Sequence, residues 1–132
     1  MLQLDSLAYA QMLGHAYDEL PLEACGLLIG APGRCTSFVR TDNMAKSAIV
    51  YTVDPKAHLR AEIAAENAGE AVIGVMHSHT HTDAFPSATD IAAAPDPSWH
   101  YAIVSLRDES PMLRSWRIID GAITEEQVVV AR

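Results

Sequence analysis

A chain of 132 residues with a formal net charge of −8 is a poor partner for nucleic acid or for an anionic membrane surface. Apolar residues make up 49% and aromatic residues only 6%, so we expect one domain, residues 1–132, with an aliphatic core. The start of the chain lacks the basic and apolar regions of a signal peptide, and no apolar run is long enough for a membrane span. Cys25 and Cys35 have no CxxC spacing. We therefore expect a soluble, cytoplasmic protein with reduced cysteines.

The first half of the chain predicts two helices and three strands. Asp5 or Ser6 can cap the first helix, which ends before Pro21 because proline removes a backbone donor. Asp54 and Pro55 give the second helix its cap and first turn. The predicted elements are a helix over 6–19, strands over 22–30 and 35–41 joined by a turn at 31–34, a strand over 49–53, and a helix over 56–67 whose inward stripe is Ala57, Leu59, Ile63 and Ala64.

The second half continues this alternation. Residues 71–78 form the most apolar stretch and predict a central strand. Ser87 can cap a short helix through Asp90 to Ala94, and Asp120 with Gly121 is a strong hairpin-turn signal. Further strands are predicted over 101–106, 113–119, 122–124 and 128–130. Strands alternating with three helices indicate an α+β or layered α/β fold, with a mixed β-sheet flanked by helices.

Three of the six histidines, His77, His79 and His81, lie within five residues. On a strand, residues i and i+2 face the same side, so His77 and His79 can bind one ion. Asp90 follows in the first turn of the short helix. Two histidines and one carboxylate are a common catalytic zinc set that leaves a fourth position for water. Such a site needs a base that is not a ligand, and Glu23, at the start of an apolar strand, is the candidate.

Each piece taken alone has a simpler explanation. A single His-x-His pair is weak support for metal binding, Ser87 with Asp90 is more often only a capping box, and Glu23 alone is usually a solvated charge. His81 is the main rival ligand, although Thr80 and the residues after it indicate that the strand has already ended. We expect the remaining histidines, His15, His58 and His100, at helix surfaces or strand edges. We expect four aromatic residues in the core or at its rim: Trp99, Trp116, Phe38 and Phe85.

Together the pieces resemble the signature of the JAMM (MPN+) metallopeptidases, which is a glutamate, a distant His-x-His, a gap of seven residues and Ser-x-x-Asp. Glu23, then His77-Ser78-His79, then Ser87-Ala88-Thr89-Asp90 match it, with residues 80–86 as the gap. The resemblance covers essentially the whole chain and implies a JAMM/MPN, cytidine deaminase-like architecture. It is closest to the small bacterial Mec-like branch, in which His-Ser-His-Thr precedes Pro-Ser-x-Thr-Asp. Thr80 fits this branch, since many other members have proline there.

The resemblance implies a zinc-dependent peptidase or isopeptidase that acts on proteins of ubiquitin-like fold. By it, His77, His79 and Asp90 would hold one Zn²⁺ ion per chain, Glu23 would be the general acid–base, and Ser87 would hydrogen-bond the developing oxyanion. The Mec-like branch releases cysteine from the C-terminus of a ubiquitin-like sulfur-carrier protein, a step in carrier-dependent cysteine biosynthesis. We expect the same reaction here, with the extended tail of the carrier docked by β-augmentation.

Three alternatives stay open. The nearest is a JAMM isopeptidase that removes ubiquitin-like modifiers from lysines or processes their precursors. A second is a catalytically silent MPN scaffold, although silent members usually lose the histidines or the aspartate that this chain keeps. A third is a domain that zinc only stabilises, but a site with three protein ligands favours an open coordination position.

Overall fold

The structure is a computed structural model that describes residues 1–131. Over that range it has eight strands and three helices. In chain order the elements are β1 (Leu2–Asp5), α1 (Ser6–Asp18), β2 (Cys25–Ala31), β3 (Arg34–Thr41), α2 (Pro55–Asn67), β4 (Ala71–His79), α3 (Ala88–Ala93), β5 (His100–Ser105), β6 (Met112–Ile119), β7 (Ala122–Glu126) and β8 (Val128–Ala131). None of these helices is both long enough and apolar enough to cross a membrane.

The strands form one mixed sheet in the order β7-β6-β5-β4-β2-β3-β1-β8. Strand β4 is parallel to β5, β1 is parallel to both β3 and β8, and the other neighbours are antiparallel. The two edge strands, β7 and β8, are separated in sequence only by Gln127, so the sheet curls until its edges approach each other. The mixed sheet flanked by helices confirms the predicted fold class. The short strand β1 was not predicted.

The core has two parts, one on each face of the sheet. The first lies under α1 and includes Met12, Leu28, Met76 and Val104. The second lies under α2 and includes Leu27, Val75, Ile103 and Trp116. Because side chains alternate along a strand, β4 contributes Met76 to the first face and Val75, His77 and His79 to the second. The histidines therefore lie on the face of the sheet that carries α2. Cys25 and Cys35 are both buried and unpaired.

The predicted strand over 49–53 is wrong. This segment makes a single isolated bridge, between Asn43 and Val53. The side chain of Asn43 takes the backbone groups that a neighbouring strand would need, since its Nδ2 donates to the carbonyl of Val50 (2.9 Å) and its Oδ1 accepts from the amide of Thr52 (3.0 Å). The β-branched and aromatic composition that predicted a strand instead belongs to a loop held by one asparagine.

The predicted inward stripe of α2 is also wrong. The buried residues of the helix are Ala61 and Ala65, one turn apart. These small side chains let the helix pack closely on the sheet, and the helix is rotated accordingly. Three of the four predicted stripe residues are exposed as a result, namely Leu59, Ile63 and Ala64.

Two of the histidines expected at helix surfaces or strand edges are buried, which is a further correction. His15 and His100 are each only 3% exposed. The Nε2 atom of His15 lies 2.9 Å from the carbonyl oxygen of Cys25 and 3.2 Å from that of Thr41. Nδ1 of His100 lies 2.7 Å from the carboxylate of Glu126. His15 links α1 to β2 and β3, and His100 links β5 to β7. These partners are distant in sequence, so local patterns do not predict them. The aromatic predictions are confirmed: Phe38, Trp99 and Trp116 are buried, and Phe85 lies at the rim.

Candidate metal centre

The two histidines of the His-x-His pair come from the last residues of β4. This strand is flanked by β5 on one side and β2 on the other, so its backbone is fixed by hydrogen bonds on both edges. His77 and His79 are 1% and 4% exposed. Their Nε2 atoms lie 3.2 Å apart, as expected for side chains that share one face of a strand. The strand thus presents both imidazoles at one point.

Asp90 reaches the same point from the start of α3. Ser87 is the N-cap of this helix, and the two residues form a reciprocal capping box. The amide of Asp90 donates to Ser87 Oγ (3.0 Å), and the amide of Ser87 donates to Asp90 Oδ2 (2.9 Å). The cap fixes the carboxylate so that Oδ2 also lies 3.1 Å from Nε2 of His77 and of His79. Asp90 therefore belongs both to the helix cap and to the three-atom cluster, so a capping box and a metal ligand are compatible roles for this motif.

The three side chains fit a metal ion. His77, His79 and Asp90 are the one buried group in residues 1–131 whose ligand atoms could hold one. Ligand atoms bound to zinc at about 2.0–2.1 Å with tetrahedral angles lie roughly 3.3 Å apart. The observed separations of 3.1–3.2 Å match that spacing. Nδ1 of His79 donates to the carbonyl of Asp83 (2.7 Å), which leaves the Nε2 lone pair directed at the cluster.

Metal binding requires neutral imidazole and ionised carboxylate, and the pKa values of His77 and Asp90 favour those states. Burial holds the pKa of His77 below its ordinary value. Burial alone would raise the pKa of Asp90, but hydrogen bonds from His77 and His79 hold it well below its usual range. Burial alone would lower the pKa of His79, but its hydrogen bonds to Asp90 and to the carbonyl of Asp83 raise it. The raised pKa favours the protonated imidazole, so His79 is the one ligand of the three whose pKa opposes metal binding in the metal-free protein.

Glu23 reaches the cluster from the chain just before β2. The antiparallel pairing of β2 with β4 sets Cys25 opposite His77. Ala24 continues it, because its amide donates to Ser78 Oγ (2.7 Å) and its carbonyl accepts from the amide of Ser78 (3.0 Å). Glu23 is two residues before Cys25 along this extended chain, so it lies on the same face of the sheet, and it lines one cleft together with His79. Ser78, between the two histidines, fixes this register through its backbone amide and its hydroxyl oxygen.

The carboxylate of Glu23 is buried and poorly satisfied. The residue is 3% exposed, and Oε1 has no hydrogen-bond partner. Burial raises its pKa to about 7, an effect that His79 reduces and Asp90 increases. An unpaired buried carboxylate destabilises the fold, so its position calls for a functional explanation. A carboxylate with a pKa near neutrality is suited to accept and return a proton.

Two residues that sequence reasoning missed hold this arrangement in place. The ring of Tyr51 stacks on the ring of His77 with 4.4 Å between centroids and 17° between planes. Nδ1 of His77 is buried without a hydrogen-bond partner, so stacking replaces the usual contact that orients a ligand histidine. Asn43, 7% exposed, donates to the carbonyl of Glu23 (3.0 Å) as well as to that of Val50 (2.9 Å), next to Tyr51. These contacts join distant segments, and no local pattern indicates them.

Two clefts open onto the cluster. One is lined by Glu23, Ile49, His79 and Ser87, and the other by His79, Phe85, Ser87 and Arg107. Ser87 therefore faces both clefts. Its oxygen accepts the cap bond, so its hydroxyl proton remains able to donate to another group. His81 is exposed and contacts Thr80 Oγ1 (2.8 Å). It is not part of the three-residue cluster.

Comparison with known proteins places this site in context. The family model for prokaryotic homologs of the JAB domain matches residues 6–119. The chain is 43% identical over 122 residues to the CysO-cysteine peptidase of Mycobacterium tuberculosis, covering 90% of this chain and 84% of that protein. It is 32% identical over 111 residues to a desampylase of Haloferax volcanii, covering 79% and 80%. A solved structure from Desulfitobacterium hafniense superposes with a TM-score of 0.91 at 33% identity, covering 99% and 93%.

Proposed function

Because the chain belongs to the JAB/MPN family, as the sequence resemblance predicted, we propose that it is a zinc-dependent peptidase that releases cysteine from the C-terminus of a ubiquitin-like sulfur-carrier protein. The observation that carries this proposal is the convergence of His77 Nε2, His79 Nε2 and Asp90 Oδ2 within 3.2 Å of one another, with Glu23 lining the same cleft as His79. The similarity to a CysO-cysteine peptidase over most of both chains supports the choice of substrate.

In this proposal His77, His79 and Asp90 hold the metal ion. Zinc suits two imidazoles and one carboxylate, and when bound it lowers the pKa of water to about 7 and polarises a carbonyl. The three protein ligands leave one side of the cluster facing the clefts. The ligand assignments and the catalytic roles of Glu23 and Ser87 stay predictions until tested.

The residues of the chain supply the proton transfers. As water adds to the carbonyl carbon of the last carrier residue, Glu23 takes its proton, and Ser87 donates a hydrogen bond to the carbonyl oxygen as negative charge develops there. The carbon–nitrogen bond then breaks, and Glu23 returns the proton to the departing amine. The carrier keeps a C-terminal carboxylate, and cysteine leaves with its own amine and carboxylate. The expected cytoplasmic location and docking of the carrier by β-augmentation also stay predictions.

A second candidate is removal of ubiquitin-like modifiers from lysine, which the 32% identity to a desampylase favours. The two reactions differ in the leaving group, which is free cysteine in one and a lysine-bearing protein in the other. Zinc-loaded protein should be mixed in separate reactions with a carrier bearing C-terminal cysteine and with the same carrier linked to lysine. We expect faster cleavage of the cysteine adduct. Cleavage of the lysine-linked substrate alone would overturn the proposal and support the isopeptidase.

A further inference from the structure

Arg107 lines one of the two clefts that open onto the cluster. This cleft, of about 510 Å³, is lined by His79 and Ser87 and also by Phe85, Asp83 and Arg107. We call it the Arg107 cleft. Because a ligand histidine and the proposed oxyanion donor both line it, a group bound beside the scissile bond would enter it.

The fold places Arg107 close to His79. Strands β4 and β5 are parallel, with His79 paired to Ser105, and the amide of Leu106 donates to the carbonyl of His79 (2.9 Å). Arg107 follows directly, and its amide donates to Ser105 Oγ (3.2 Å). Its Nη1 donates to Asp83 Oδ1 (2.6 Å), and the carbonyl of Asp83 accepts from His79 Nδ1 (2.7 Å). Asp83 thus contacts both the guanidinium of Arg107 and the imidazole of His79.

Charge makes this arginine distinctive. The chain has 17 acidic against 9 basic residues, and Asp83 is an acidic residue of this same cleft. A substrate that carries a free carboxylate next to the scissile bond is stabilised there by a nearby cation of the protein. Among the described residues lining the two clefts, Arg107 is the only lysine or arginine. Its side chain is 53% exposed, and one contact to Asp83 leaves most of its five donors available.

We propose that Arg107 binds the free C-terminal carboxylate of the substrate and so restricts the enzyme to release of a single terminal residue. The inference rests on the proposed function and adds a specificity-determining residue to it. The planar guanidinium can form two parallel hydrogen bonds to a carboxylate, which a lysine cannot reproduce. Asp83 holds the guanidinium in place before substrate arrives. An isopeptide-linked lysine has no free carboxylate at this position, so Arg107 discriminates between the two leaving groups.

The test compares two substrates that differ only in this charge: a sulfur carrier ending in cysteine and the same carrier ending in cysteine amide. For wild type we expect a KM for the amide that is higher by roughly tenfold, since a half-exposed charge-assisted contact is partly screened. Arg107→Ala should raise KM for the carboxylate substrate by the same factor, with little change in kcat, and should leave the amide unchanged. Arg107→Lys should restore only part of the preference.

A second readout is independent of turnover. In a Glu23→Gln background, binding of the carrier–cysteine adduct should weaken roughly tenfold when Arg107 is replaced by alanine. The matched control is Arg40→Ala, because Arg40 forms a similar half-exposed pair with Asp18 (2.8 Å) on another part of the surface. It should change neither KM nor binding.

The outcomes separate this inference from the function on which it rests. Equal KM values for the two substrates in both wild type and Arg107→Ala would overturn the carboxylate site while leaving cysteine release intact. Failure of wild type to cleave either adduct, with cleavage of an isopeptide-linked substrate, would overturn both. A tenfold loss with Arg40→Ala as well would show a general electrostatic effect and would also overturn the site.

Discussion

Asn43 offers the sharpest test of how the site is held together. Its side chain makes five hydrogen bonds, from Nδ2 to the carbonyls of Glu23, Ser47 and Val50, and to Oδ1 from the amides of Ala45 and Thr52. It therefore connects the backbone of the proposed general base to the loop that carries Tyr51. We predict that Asn43→Ala lowers both stability and turnover.

The magnitude follows from the burial of these contacts. The bond to the Glu23 carbonyl is buried, so its loss leaves an unsatisfied acceptor that costs about 1–3 kcal/mol. The other four are partly buried and water can replace them, so each costs roughly 0.5 kcal/mol, the low end of the net worth of a hydrogen bond. We expect a loss of about 3–5 kcal/mol in the free energy of unfolding, which a domain with a stability of about 10 kcal/mol survives. Displacement of Glu23 by an ångström should reduce kcat by roughly 10²-fold.

Denaturant unfolding and steady-state kinetics on the carrier–cysteine adduct measure the two effects of Asn43→Ala. Asn67→Ala is the matched control, because Asn67 is exposed at the end of α2 and should change stability by less than about 0.5 kcal/mol. If Asn43→Ala is destabilised as expected but keeps the wild-type kcat, Asn43 does not position Glu23. If stability is also unchanged, the hydrogen-bond network itself is wrong.

Three further predictions concern single residues of the site. Because the pKa of Glu23 is raised from 4.5 to about 7, the folded state loses stability as pH rises through that range. Glu23→Gln should therefore raise the Tm of the metal-free protein at about pH 8 and not at about pH 4, and an equal Tm change at both pH values would contradict the burial argument. The same variant should retain zinc binding while its turnover falls roughly 10²–10⁴-fold. Tyr51→Ala should weaken zinc affinity roughly 10-fold or more in a chelator competition. Tyr51→Phe keeps the ring stacked on His77 and should keep the zinc affinity. Loss of zinc affinity in both variants would assign the effect to the hydroxyl. Ser87→Ala should lower kcat roughly 10²–10³-fold. Ser87→Thr, which keeps both the helix cap and the hydroxyl, should recover much of the wild-type kcat. An unchanged kcat in Ser87→Ala would leave Ser87 with only its capping role.

The parts of the fold that follow from local pattern were predictable. The apolar run before His77 forms a central strand, the proline after Asp54 begins α2, and Ser87 caps α3. The Asp120–Gly121 turn was also predictable, because both residues have positive φ (51° and 79°), as a tight hairpin turn requires. Each depends on residues within about four positions of one another in sequence, where spacing and composition carry the information.

The parts that depend on long-range pairing were not predictable. Strand β1 is four residues long and is fixed by its pairing with β3 and β8 and by the burial of Leu2 and Leu4. The loop over 49–53 has strand composition, but Asn43 occupies its backbone groups. His100 is buried because Glu126, 26 residues away in sequence, accepts its hydrogen bond. In each case the deciding partner is distant in sequence.

The candidate site divides in the same way. The motif spacing indicated His77, His79 and Asp90, and the structure brings their ligand atoms together. Glu23 was a candidate from its place before an apolar strand and was matched by the resemblance to a family, but its approach to His79 depends on the pairing of β2 with β4, which local sequence does not show. Tyr51 was missed because stacking on a ligand has no sequence spacing.

The central claim is that Glu23 and the metal cluster together release cysteine from a carrier protein. The most direct measurement is the intact mass of a carrier–cysteine adduct after incubation with zinc-loaded wild type, with chelator-treated protein and with zinc-loaded Glu23→Gln. We predict that the mass falls by one cysteine residue only with zinc-loaded wild type. An unchanged mass with that protein, or an equal loss with Glu23→Gln, would contradict the account.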